Sequence, residues 1–155
     1  LKQVLQSLKT GDVLVKDVPA PSSPEHGILV RAIASLVSAG TERMVVEFAE
    51  KNLLQKARAR PDLARQVLQR MRRDGLRATL DTVRRNLDQP MPLGYSLVGE
   101  VIDVGTEARG VVNGDFVACA GGSIATHAEF AAVPQQLFAP LPAGFGDRVP
   151  VAHAA

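Results

Sequence analysis

The stretch PLGYSLVGEV, Pro92–Val101, decides how the rest of the chain is read. Its two glycines, its apolar alternation and its continuation as VIDVG describe a turn that opens into a β-strand. Similar short runs follow: GDFVACA from Gly114, HAEFAAVP from His127 and LFAPLP from Leu137, punctuated by Gly, Asp and Pro. Near the N-terminus, KQVLQSL leads through the turn KTGD to DVLVKDV, which alternates outward and inward residues. ILVRAIASLVS, Ile28–Ser38, is a longer β-rich run with Arg31 as its one charge. Several short strands at regular spacing predict a barrel or sandwich, so the expected fold class is mainly β.

Between these two sets of strands the period changes. From Met44 to Leu87 the apolar residues recur at helical spacing, and β-branched runs disappear. Three helices are expected, over Met44–Arg58, Pro61–Arg73 and Leu76–Leu87. Pro61 suits a first helical position, and Gly75 suits the break before the third helix. Leu63, Val67 and Met71 form one apolar stripe; Leu76, Leu80, Val83 and Leu87 form another. The two stripes are expected to pack on each other, with arginines on the opposite faces. The chain therefore reads as one β-rich domain, 1–155, interrupted at 45–90 by a helical insertion that projects from it.

Composition narrows the function classes. A chain of 155 residues, 46% hydrophobic and 22% charged, can bury a core and is not disordered. A net charge of +2 does not by itself imply nucleic acid, although 45–90 holds two Lys and nine Arg against six acids. No aromatic stacking residues accompany those arginines, so they read as a solvated face, a lid or a subunit surface rather than a nucleic-acid site. One cysteine, Cys119, allows neither an intrachain disulfide nor a multi-cysteine zinc site. It reads as a small packing hydrophobe. With no N-terminal apolar leader and no 18-residue apolar run, no membrane role is expected and the compartment is expected to be cytoplasmic. Leu1 in place of Met points to a trimmed or unusual start.

Taken in order, ILVRAIASLVSAGTE, PLGYSLVGEVIDVG, NGDFVACAGGSIATHAEFAAVP and LPAGF resemble the N-terminal GroES-like domain of the medium-chain dehydrogenase/reductase family. That family includes the zinc alcohol dehydrogenases. The resemblance covers the chain apart from the helical insertion and rests on the order and spacing of segments, not on any one motif. It implies a partly open β-barrel with an inserted α-helical segment. The insertion and the SAGTER turn look most like bacterial zinc-lacking members, some of them parts of larger bidomain oxidoreductases. Family members bind NAD or NADP mainly through a Rossmann domain. The one lookalike here, Gly144-Phe145-Gly146, follows a proline-rich loop and has Val149 where a third glycine would fall. The Rossmann domain is thus expected outside this chain, which would be a truncation or a natural half-protein, inactive in isolation.

Matching the family's turns residue by residue places Ala39 at the zinc-binding cysteine, Tyr95 at the histidine and Ser96 at the adjacent acid. Alanine offers no donor atom, and a phenol with a pKa near ~10 is a poor zinc ligand at neutral pH. No zinc is expected. Thr41 stands where relatives use a hydroxyl in proton relay and substrate contact, and Glu42 where an acid supports the metal. Thr41 reads equally well as the cap of the following helix, and Glu42 better as a first-turn acid. Tyr95 is either a hydrogen-bond donor to a substrate oxygen or an aromatic filling the space of the lost ligands. His26 reads as a solvated loop residue, His127 as a surface or packing residue at a strand opening, and His153 as part of the approach to a second domain.

The resemblance implies that Thr41 and Tyr95 are the catalytic candidates. The implied function is the substrate-binding domain of a zinc-independent NAD(P)-dependent oxidoreductase acting on an alcohol, sugar, carbonyl or activated alkene. Its partners would be that small-molecule substrate, the missing Rossmann domain and, in an assembled form, further copies in a homo-oligomer. The alternative is a non-catalytic oligomerisation or partner-binding module on the same barrel, because fold does not fix function.

Overall fold

The computed structural model describes residues 1–40, 42–43, 55, 58, 61–145 and 150–155. Eight strands dominate: β1 (Lys2–Gln6), β2 (Val13–Asp17), β3 (Gly27–Ser35), β4 (Met91–Pro92), β5 (Ser96–Val104), β6 (Phe116–Ala120), β7 (Phe130–Pro134) and β8 (Phe138–Pro140). Among the described residues two α-helices, α1 (Pro61–Asp74) and α2 (Leu76–Asp88), lie between β3 and β4 in the chain. The strands make a five-stranded sheet in the order β7-β3-β5-β6-β8 and a three-stranded sheet in the order β2-β1-β4. Among the described residues an isolated bridge, Gln3 to Ala128, joins β1 to the segment just before β7. The architecture is the mainly β, partly open barrel with inserted helices that the sequence implies. No helix among the described residues is long and apolar enough to cross a membrane.

Alternation sets the core. β3 sends Ile28 and Val30 inward, β5 Leu97 and Val101, β6 Val117 and Cys119, and β7 Ala131 and Val133. Pairing in the five-stranded sheet is antiparallel, with Val30 opposite Val101 and also opposite Ala131, so β3 is covered on both edges. Arg31, the lone charge of its run, lies opposite Glu100 and forms an ion pair with it on the exposed side. Burial pushes the Cys119 thiol up to about 12. An unfolded chain would ionise that thiol near ~8.5, so folding retains a proton across the interval and stability falls as pH rises through it. Denaturant midpoints should therefore drop between pH 8 and pH 11, and the slope should be shallower in Cys119→Ala.

Two strand expectations change. β2 does not alternate: all five residues are exposed, because β2 is the edge of its sheet and nothing packs on either face. β4 is an addition, since two residues including a proline carry no periodicity to read.

By contact density the chain divides into two compact units, one of 1–5, 15–39 and 92–155, the other of 6–14 and 40–91. Within the second, α1 packs on α2, and Lys9 pairs with Asp88 at 3.0 Å in the open. The first expected helix, Met44–Arg58, falls almost entirely outside the described residues. The other two form as expected, each one residue longer. Gly75 alone joins them at φ +86°, a conformation that suits glycine, and its N–H donates to the Met71 carbonyl at 3.1 Å. Half of the expected stripe on α2 faces solvent: Leu76 is 55% and Leu80 43% exposed, whereas Val83 is half-buried, the Leu87 side chain lies outside what is described, and Thr79 is buried. The Thr79 hydroxyl donates to the Gly75 carbonyl at 2.9 Å, so its burial leaves no donor unpaired. On α1, Val67 and Met71 are half-buried as the stripe requires.

Candidate functional site

The backbone of Leu93–Ser96 is pinned from several sides. Leu93 N–H donates to the Val4 carbonyl at 3.1 Å, and its own carbonyl accepts from His127 N–H at 2.8 Å. The Tyr95 carbonyl accepts from Gly121 N–H at 2.8 Å, and the Ser96 carbonyl from Leu36 N–H at 3.1 Å. The turn ahead of β5 is thus held by β1, by the loop before β7 and by the chain leaving β3. Gly94 is required in it. Its φ is +96°, and a Cβ there would lie 2.8 Å from the His127 nitrogen and 3.0 Å from Nδ1 of the His127 ring. Gly94→Ala should cost roughly 1–3 kcal/mol from backbone strain. It should also displace the His127 ring, which a shift of its NMR resonances would report.

Tyr95 is half-buried, and none of the described residues hydrogen-bonds its hydroxyl. The ring is placed, with a donor that the described fold leaves available. Ala39 is exposed in a short helical turn, and Ser96 is half-buried at the start of β5. Thr41 lies outside the described residues, so both of its readings stand as they were. Glu42 is half-buried in helical geometry. His26 and His153 are exposed.

His127 occupies a more organised place than its sequence context suggests. Its Nδ1 lies 2.8 Å from the Ser35 hydroxyl, a hydrogen bond whose direction follows the tautomer of the ring. Its N–H and carbonyl are both engaged, the carbonyl accepting from Val4 N–H at 2.8 Å. Next to it the buried Thr126 hydroxyl accepts from the Gln3 amide at 3.1 Å. This segment, with Lys2–Val4 and Ala32–Ser35, lines an open groove of about 320 Å³. Nothing local in the sequence joins two residues 92 positions apart; only the sheet topology does. Among the described residues, no group of three or more His, Cys, Asp or Glu is arranged to hold a metal ion.

The fold as a whole matches solved structures. One is galactitol-1-phosphate dehydrogenase from Escherichia coli, with a TM-score of 0.62 and 14% identity, covering 99% of this chain and 40% of that one. Another is Escherichia coli quinone oxidoreductase complexed with NADPH, at 0.61 and 15%, covering 99% and 36%. A third is an alcohol dehydrogenase superfamily protein from Novosphingobium aromaticivorans, at 0.57 and 21%, covering 91% and 34%. The chain has the fold of an alcohol dehydrogenase-type N-terminal domain. It spans well under half the length of these chains. No family model and no curated protein matches it at the thresholds applied.

Proposed function

We propose that this is the substrate-side domain of a zinc-independent, NAD(P)-dependent oxidoreductase acting on an alcohol, sugar, carbonyl or activated alkene. The observation that carries the reading is the fold shared over 99% of the chain with dehydrogenases and with a quinone oxidoreductase bound to NADPH. The residues present do not suit zinc: Ala39 has no donor atom and Tyr95 offers only a phenol. No step is therefore built through a metal. A nicotinamide cofactor, when bound by the complete protein, would supply or accept the hydride. The chain's own residues bind and orient the reacting oxygen. Tyr95 donates a hydrogen bond to the negative charge that develops there, and Thr41 provides a second hydroxyl. His127 and Ser35 supply polar lining of the groove. Ile33, Leu36 and Val37, each at least 47% exposed at the end of β3, fit a face that another part of a longer protein covers.

The test is expression of the gene product with all sequence that follows residue 155. Hydride transfer would be assayed with NADH and NADPH against an aldehyde, a quinone and a sugar alcohol, alongside elemental analysis. Turnover without stoichiometric zinc is the expected result. A gene product that ends near residue 155 and binds neither cofactor would favour the non-catalytic module instead.

A further inference from the structure

The turn that carries Tyr95 is bracketed at both ends, and one side-chain bond joins the two brackets. At one end the His127 ring lies against Gly94, where a Cβ would stand 3.0 Å from Nδ1 and 3.1 Å from Cε1. At the other, Leu36 N–H donates to the Ser96 carbonyl at 3.1 Å. Ser35, just before Leu36, is the last residue of β3 and is held opposite Leu97. Its hydroxyl lies 2.8 Å from His127 Nδ1, which closes a loop of contacts through Gly94, His127, Ser35, Leu36 and Ser96 around Tyr95. All of these residues belong to one compact unit. Two soft torsions stand in that loop. Gly94, at φ +96°, has no Cβ to limit its backbone, and the terminal χ2 of a histidine is broad. A hydrogen bond on Nδ1 fixes the second, and the fixed imidazole then occupies the space through which Gly94 would swing.

We propose that Ser35 and His127 are a positioning pair for Tyr95, holding its phenol in the direction from which it donates to the reacting oxygen. The inference rests on the reading of Tyr95 as that donor and deepens it. Neither side chain of the pair needs to touch the substrate. They act through the backbone of Gly94: Ser35 orients the imidazole, the imidazole restricts the glycine, and the glycine sets where Tyr95 points. A hydrogen-bond donor stabilises developing charge best when its direction is fixed beforehand, and a small misplacement costs rate. The role also gives a reason for a side-chain bond on the wall of an open groove. Water could satisfy both groups there, so the bond adds little to stability and its value lies in direction.

The chain has one tyrosine and no tryptophan, so its tyrosine fluorescence reports on Tyr95 alone. Time-resolved anisotropy reads the nanosecond freedom of that ring. Ser35→Ala removes the anchor, and His127→Phe keeps a ring over Gly94 but removes its nitrogens. Each should add a fast depolarising component that the parent chain lacks, and Ser35→Thr, which keeps a hydroxyl, should suppress it. Val133→Ala is the control, since it truncates a buried residue of β7 outside the pair. Its melting temperature should fall while the anisotropy stays as in the parent. Parent-like anisotropy in both Ser35→Ala and His127→Phe overturns the proposal, and so does an equal change in Val133→Ala. In the complete protein, Ser35→Ala should lower kcat about tenfold with KM nearly constant. It should have no further effect once Tyr95→Phe is present, because the two act in series. A fall by the same factor in both backgrounds overturns the proposal, as does no fall where Tyr95→Phe alone lowers kcat. Turnover untouched by Tyr95→Phe refutes the donor reading instead, and the anisotropy then still decides whether the pair holds the ring.

Discussion

Leu97→Ala should lower the melting temperature by roughly 10 °C. Leu97 is fully buried on β5, opposite Ser35 on one side and Cys119 on the other, so its side chain sits where the sheet is covered on both edges. Truncating a core leucine removes its transfer free energy and leaves a cavity that paired strands cannot close, at a cost of about 2–5 kcal/mol. At this chain length each kcal/mol lowers the midpoint by about 2–4 °C. Val112→Ala is the control: Val112 is 65% exposed, and its truncation should stay within about 0.5 kcal/mol. Calorimetry of both variants checks the pair. Equal effects would mean that the apolar centre lies elsewhere than between β3, β5, β6 and β7.

The second large effect is on turnover. In the complete protein, Tyr95→Phe should reduce kcat about 10²-fold, the scale seen when one preorganised donor to a developing oxyanion is lost. kcat/KM should fall in proportion, because the bond is made chiefly in the transition state. The melting temperature should hardly move. No described residue bonds to the phenol, so removing it strands no buried partner. Thr41→Val, measured alongside, separates a relay role from helix capping: capping costs stability of about 1 kcal/mol, relay costs rate. Turnover unchanged in both variants would end the hydrogen-bond mechanism, leaving Tyr95 as a packing aromatic.

What the sequence made legible follows from which forces are local. Period-two alternation is a local consequence of pleating, and it located the segments that form β3, β5, β6 and β7. The turn at Gly94 was visible as a glycine before a strand, and the structure adds why: the His127 ring and nitrogen fill the space a side chain would need. Exposure of β2 was not legible, because alternation says which residues share a face and not whether anything covers it. On α2 the first two residues of the stripe, Leu76 and Leu80, face solvent and Thr79 is buried instead, because spacing says which residues share a helix face and not which face is covered. The Ser35–His127 contact was out of reach for a different reason. It is made by strand order, and strand order is a property of the whole sheet.

That strand order also carries a cost in time. β3 pairs with β5 and β7, yet residue 35 leaves the ribosome 92 positions ahead of residue 127. At about 5–20 residues per second, this central strand waits roughly 5–20 s for its last neighbour. Until β5 emerges Ile28 and Val30 have neither neighbouring strand, and the helical residues emerge meanwhile. The newborn chain is thus most vulnerable to wrong pairing after β3 has emerged and before β5 has.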